Sequence, residues 1–172
     1  DTLHNGEWIS DGNNHYIEIE FNADANYSFT LNYTDLAGND AEEKYNSPDF
    51  TIDQTPPTNL NAKYSEEKNF FEEIIDNITF ITYYYKDNVT ITFSADDMTS
   101  GIDSIDWEYQ RQVGSSDSSV ADVSKHFKKE DITFSEDGKT GEVTVELSAE
   151  ESKQYRGTIS FTVTDMAGKT AT

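Results

Sequence analysis

Aspartates in loops are the side chains of this sequence with the clearest potential for chemistry. Ca²⁺ takes about six to eight oxygen ligands, most often carboxylate and carbonyl oxygens. The candidate ligands are Asp53, Asp96, Asp97, Asp103 and Asp165. Three of them share one acidic loop between two predicted strands, and the other two stand in separate loops. The sequence predicts a calcium site if the fold brings these loops together, and a solvated acidic loop is the alternative.

Residue types typical of catalysis are present but are not arranged for it. His4, His15 and His126 fall on unrelated segments, without the spacing of a metal-binding or catalytic motif. The chain has no cysteine, which excludes thiolate catalysis, disulfides and cysteine-type zinc sites. It also has no Gly-x-Ser-x-Gly motif and no glycine-rich phosphate loop. The sequence therefore predicts that this segment is not an enzyme and has no catalytic residues.

Three consecutive aromatic residues offer a different kind of site. Tyr83, Tyr84 and Tyr85 lie in a predicted strand, where alternation places at least one ring on the outer face. An exposed ring can stack on a sugar, so these tyrosines are candidate ligand-binding residues for a host glycan or protein. Packing of the same rings beneath neighbouring loops is the alternative.

The charge of the chain limits its partners. It carries 34 acidic and 12 basic residues, a formal net charge of −22. Such a surface repels phosphate backbones and anionic membranes, and no apolar run reaches the roughly 18 residues of a membrane span. We expect no nucleic-acid partner and no membrane contact within this segment.

The elements that would position these residues are strands, and part of the strand and turn sequence is repeated in the chain. Apolar and polar residues alternate over many short runs, which predicts half-buried antiparallel strands. Tyr33–Asp40 reads YTDLAGND and Val163–Thr170 reads VTDMAGKT, 130 residues later. In both copies an Asp precedes a Gly by three residues, as in a tight turn with the Gly at positive φ. Asp35, Gly38 and Gly168 are therefore predicted to have structural roles.

This repeat predicts two all-β modules in series. Residues 1–57 hold the C-terminal half of one module plus a stiff Thr-Pro-Pro linker, and residues 58–172 hold a second module without its last strand. About seven short strands over roughly 110 residues, with Trp107 at the position of a core tryptophan, suit an immunoglobulin-like sandwich. An apolar stripe suggests a short helix near residues 66–76. Because half a sandwich exposes its core face, we expect this chain to be a segment of a longer tandem array with neighbouring repeats as its partners. The alternative is that another chain supplies the missing strands by strand exchange.

Three motifs add a resemblance to a known family. YTDLAGN at Tyr33–Asn39, FTIDQTPPT at Phe50–Thr58, and the stretch from Asn69 to Tyr109 that contains NVTITFSADDMTSGIDSIDWEY are similar to bacterial immunoglobulin-like repeat domains. Those domains occur in large cell-surface proteins of Gram-positive bacteria, especially Firmicutes. This sequence departs from the pattern at Lys169 and in a polar insertion, Gly114–Asp122.

The resemblance implies an extracellular, non-catalytic function. It suggests a stalk or spacer of a secreted or surface protein, and it carries over no catalytic residue and no certain cofactor beyond the calcium considered above. The alternatives are an adhesin-type module that binds host glycan or protein, through Tyr83–Tyr85 or Gly114–Asp122, and an accessory domain of a glycan-degrading enzyme.

Overall fold

The computed structural model describes residues 3–5, 9–35, 37–65, 79–80, 88–111, 124–147 and 157–172. The predicted all-β class is confirmed, because the described elements are strands in antiparallel sheets and a single turn of 3₁₀ helix at Lys129–Asp131. The predicted helix near residues 66–76 lies outside the described residues. The chain divides into two compact units, Asp1–Thr55 and Pro56–Thr172.

The first unit consists of short strands joined in pairs. Its strands are β1 (Leu3–Asn5), β2 (Ile9–Asp11), β3 (Asn14–Tyr16), β4 (Ile19–Phe21), β5 (Ala25–Tyr27), β6 (Thr30–Leu31), β7 (Tyr45–Asn46) and β8 (Phe50–Ile52). Antiparallel pairs form between β1 and β4, β2 and β3, β5 and β8, and β6 and β7. The last two pairs make one long, irregular hairpin, since the chain between Ala25 and Ile52 folds back on itself.

Aromatic rings line one side of this hairpin. The ring of Phe21 lies 4.9 Å from that of Tyr27 and 5.2 Å from that of Phe50, measured between centroids. All three side chains are only half-buried. No apolar side chain among the described residues of this unit is fully buried, so its aromatic side is a partly covered surface.

The second unit contains two larger sheets. Its strands are β9 (Thr58–Tyr64), β10 (Thr79–Phe80), β11 (Val89–Asp96), β12 (Ile102–Arg111), β13 (Ser124–Lys128), β14 (Thr133–Phe134), β15 (Thr140–Leu147), β16 (Gly157–Asp165) and β17 (Thr170–Ala171). One sheet has the order β14-β15-β11-β9 and the other has the order β10-β16-β12-β13, with β17 also paired to β16. Every neighbouring pair is antiparallel.

A single apolar core lies between these two sheets. The alternation of β11 shows how it forms, because Val89, Ile91, Phe93 and Ala95 are buried while the residues between them are half-exposed. The other sheet contributes Trp107, whose ring centroid lies 6.5 Å from that of Phe93. Each fully buried large apolar side chain contributes roughly 1.5–3 kcal/mol to folding. The alternating pattern therefore accounts for the face-to-face arrangement of the two sheets.

Candidate functional site

The two copies of the repeated loop form the same turn. In the first copy, Gly38 N donates to Asp35 O at 3.0 Å, and in the second Gly168 N donates to Asp165 O at 3.1 Å. The two glycines have φ values of +89° and +82°, a conformation that costs an L-residue about 1–2 kcal/mol. The matched motifs therefore have matched backbones.

The aspartate carboxylate holds each turn in place. Oδ1 of Asp35 accepts from Asn39 N at 2.8 Å, and Oδ1 of Asp165 accepts from Lys169 N at 2.8 Å. In the first copy the Asn39 side chain also donates Nδ2 to Oδ2 of Asp35 at 2.9 Å. This side-chain bond, together with the backbone bond from Asn39, lowers the pKa of Asp35 from its usual range. Lys169 has no side-chain amide, so it cannot repeat the bond that Asn39 Nδ2 makes in the first turn.

Asp35 and Asp165 also differ in burial. Asp35 is exposed, whereas Asp165 is 1% exposed at the end of β16. The backbone beside Asp165 contacts the acidic loop, since Met166 N donates to Gly101 O at 2.9 Å. The same turn chemistry thus places a carboxylate inside the second unit, next to the loop that follows β11.

Asp97 is the carboxylate that this loop turns inward. It follows β11 directly and is 4% exposed. Its Oδ1 accepts from Thr99 N at 3.2 Å and from Gly101 N at 2.6 Å, which fixes the loop around it. An oxygen of Asp97 and an oxygen of Asp165 lie within 4.8 Å of each other. The second unit therefore holds two buried carboxylates side by side.

This pair suits a hard cation. Two ionised carboxylates buried at short range repel each other, and removal from water adds a further cost. A proton or a cation relieves both effects, and Ca²⁺ prefers carboxylate ligands. Asp97 and Asp165 are accordingly the described residues of this unit that fit such an ion, with carbonyl groups and water needed to complete its coordination.

The other predicted calcium ligands lie in different surroundings. Asp96 points away from the core, where it accepts from Thr140 Oγ1 at 2.6 Å and from Asn59 Nδ2 at 2.8 Å. Those two hydrogen bonds lower the pKa of Asp96. Asp103 is exposed at an irregularity of β12. Among the described residues, no group of three or more potential metal ligands includes Asp96 or Asp103.

Asp53 lies in the first unit and follows β8 directly. It is 7% exposed, and its Oδ1 accepts from Thr55 N at 3.1 Å. Burial of this carboxylate is a feature that the sequence pattern did not indicate. Its participation in a calcium site stays a prediction.

The remaining sequence-predicted sites have different outcomes. Tyr83–Tyr85 and Gly114–Asp122 lie outside the described residues. Trp107 is 3% exposed in the core of the second unit.

The sequence pattern did not indicate one polar pair, His126 and Asp106. His126 Nδ1 lies 2.7 Å from Asp106 Oδ1 across β12 and β13, in a cleft that also contains Glu108 and Thr162. Only the pairing register of the two strands brings these residues together, so no spacing along the chain could have indicated the pair.

Comparison with known proteins gives no assignment, since no family model matches the chain and no curated protein does. In the part of the chain that is described, no helix is both long enough and apolar enough to cross a membrane.

Proposed function

We propose that the chain is a non-catalytic spacer of an extracellular protein, built from immunoglobulin-like sandwich units in series. The strand order of the second unit carries this proposal. Its sheets run β9-β11-β15-β14 and β17-β16-β12-β13, and the second sheet has β10 as an additional strand beside β16. In an immunoglobulin-like sandwich the corresponding orders are A-B-E-D and G-F-C-C′.

The matched turns support a serial arrangement. The Asp35 and Asp165 turns share the bond from Gly N to Asp O, the bond from the fourth residue to Oδ1, and a glycine at positive φ. Pairing after the turn also matches, because Ala41 N donates to Tyr33 O in the first unit and Ala171 pairs with Val163 in the second. The simplest source of such agreement is one structural part used twice.

The mechanism of a spacer is mechanical. The long pairing of β12 with β16 and of β11 with β15 resists extension, because several ladder hydrogen bonds must break together. The high negative charge keeps such units soluble and apart.

Single-molecule pulling combined with a binding screen tests this function. We expect the second unit to unfold in one reproducible event, with a contour-length gain of the order of 400 Å for its residues. We also expect no hit on a glycan array or in a host-protein pulldown. A saturable glycan hit would instead support the adhesin-type alternative, and gradual extension without a discrete event would refute the spacer.

Calcium belongs to this proposal as a stiffening ion. The buried pair Asp97 and Asp165 supports it, and both residues shape loops at one end of the second unit. An ion held there would fix the two loops against each other. Thermal unfolding with CaCl₂ or EGTA tests the idea, and a melting temperature that EGTA leaves unchanged would contradict it.

A further inference from the structure

The linker between the two units carries the next inference, which rests on the proposed spacer function. The boundary between the units falls between Thr55 and Pro56. Neither Pro56 nor Pro57 has a backbone N–H, so no hydrogen bond from its own amide can hold either residue. The freedom of the linker therefore depends on how the residues before and after the two prolines are fixed.

The chain is fixed where it leaves the first unit. Gln54 N donates to Asp24 Oδ1 at 2.8 Å, and Thr55 Oγ1 donates to Asp24 Oδ2. The side chain of Gln54 also donates Nε2 to Asn22 O at 3.1 Å. Because Asn22 and Asp24 lie between β4 and β5, these three bonds tie two consecutive residues to one loop of the first unit.

The chain is fixed again where it enters the second unit. β9 begins at Thr58, which pairs with Asp96 of β11. The register shifts beside this pair, and Asn59 has a φ of +53°. Such an irregularity is a β-bulge, and Asn adopts positive φ more readily than most residues. Nδ2 of Asn59 donates to Oδ2 of Asp96 at 2.8 Å, so this side chain fastens the start of β9 to β11.

Two prolines are left between these fixed points. A proline ring sets its own φ, and a residue that precedes a proline is confined to extended values of ψ. The rings therefore set φ of Pro56 and Pro57, and ψ is restricted at Thr55 and Pro56, which both precede a proline. Thr58 is held by its strand pairing. Within the described residues 54–59, ψ of Pro57 is the torsion that neither a ring, a following proline nor a ladder constrains.

We propose that the linker is a joint with a single soft backbone torsion, ψ of Pro57, and that Asp24 and Asn59 remove the other freedoms of the linker. A spacer with such a joint turns about one bond instead of behaving as a flexible tether. The prolines alone would not give this property, because without the bonds to Asp24 and from Asn59 the residues on either side of them would move.

Backbone amide relaxation measured by NMR on the full chain tests the first fixed point. In the wild type we expect order parameters of about 0.85, the value of rigid backbone, at Gln54, Thr55 and Asn59. Asp24→Ala should lower the values at Gln54 and Thr55 to below about 0.6. The matched control is Asp49→Ala, which removes an exposed carboxylate of the same unit and should leave both values unchanged.

Asn59→Asp tests the second fixed point. The substitution keeps a residue type that tolerates positive φ, and it replaces the donor to Asp96 by a like charge. We expect the order parameter at position 59 to fall below about 0.6. The matched control is Asn61→Asp, the same chemical change at an exposed position further along β9, and it should have no such effect.

Pro56→Ala tests the count of torsions. Pro56 is exposed, and its replacement frees φ at that position and ψ of Thr55. Residual dipolar couplings measured separately for each unit report motion about the linker. We expect the degrees of alignment of the two units to differ more in Pro56→Ala than in the wild type.

Three results would overturn the inference. These are wild-type order parameters below about 0.6 at the linker amides, unchanged order in Asp24→Ala and Asn59→Asp or an equal loss in their controls, and alignment that Pro56→Ala leaves unchanged. A chain with a mobile linker whose second unit still unfolds in one discrete pulling event leaves the spacer proposal standing.

Discussion

Replacing Asp165 by Asn tests whether the buried carboxylates of Asp97 and Asp165 hold an ion or only form the hydrogen bonds of their turns. Oxygens of Asp97 and Asp165 lie within 4.8 Å. With an effective dielectric constant of about 20, two ionised carboxylates at that distance repel by about 3.5 kcal/mol. The asparagine side chain would keep an oxygen that can accept from Lys169 N, and the substitution would remove one of the two charges.

The direction of the effect depends on the ion. In EGTA we expect Asp165→Asn to raise the free energy of unfolding by about 1–3 kcal/mol, because charge repulsion is relieved. In CaCl₂ at about 100 times Kd, calcium binding raises the wild type's free energy of unfolding by about 2.7 kcal/mol. The variant, which lacks one of the two carboxylates, should show only a small part of this increase. Calcium should therefore shift the stability difference toward the wild type by up to about 2.7 kcal/mol, which reverses the order of stability if the variant's advantage in EGTA is smaller than that shift.

Urea denaturation in CaCl₂ and in EGTA measures both differences. Asp103→Asn is the matched control, since Asp103 is exposed in the same unit. We expect it to respond to calcium as the wild type does. An unchanged wild-type stability on adding EGTA would falsify the calcium proposal. A variant that is less stable than the wild type in EGTA would refute the repulsion argument, and would show that the ionised carboxylate is needed for its hydrogen bonds.

Two further predictions concern single turns and loops. Gly168→Ala should lower the stability of the second unit by about 1 kcal/mol, because φ at this position is +82° and nothing lies within 4 Å of the added Cβ. Gly168→Asn should cost less, because Asn tolerates positive φ better than Ala. Equal melting temperatures for the two variants would contradict this. The hydrogen bonds from Thr140 and Asn59 lower the pKa of Asp96. The ionised Asp96 therefore stabilises the folded state above the unfolded pKa of about 3.9, and this stabilisation is lost as pH falls through the lower pKa of the folded state. The stability difference between wild type and Asp96→Asn should therefore shrink below about pH 4, and urea titrations that show a constant difference would rule this out.

The sequence predicted the long strands β11, β12, β15 and β16 of the second unit, because burial there follows period two. Val89, Ile91 and Phe93 alternate with polar residues, and the structure buries all three. The turn at Asp165 was equally predictable, since Asp and Gly at this spacing leave few backbone solutions. Local physics decides both features.

The sequence could not show which of the adjacent residues Asp96 and Asp97 is buried. Asp96 closes β11 on its outer side, and Asp97 is the first residue after the strand. A shift of one residue in the strand end would exchange their surroundings. The pairing of β10 with β16 likewise depends on contacts distant in the chain, and no alternation pattern specifies which edge a two-residue strand will join.

The position of Trp107 gives the second unit its own optical reporter. The sequence has two tryptophans, Trp8 and Trp107, one in each unit. Trp107 is 3% exposed beside Phe93, and its indole N–H has no hydrogen-bond partner among the described residues. An indole in such apolar surroundings emits at short wavelength, so in a Trp8→Phe background the red shift of fluorescence on unfolding would follow the second unit alone.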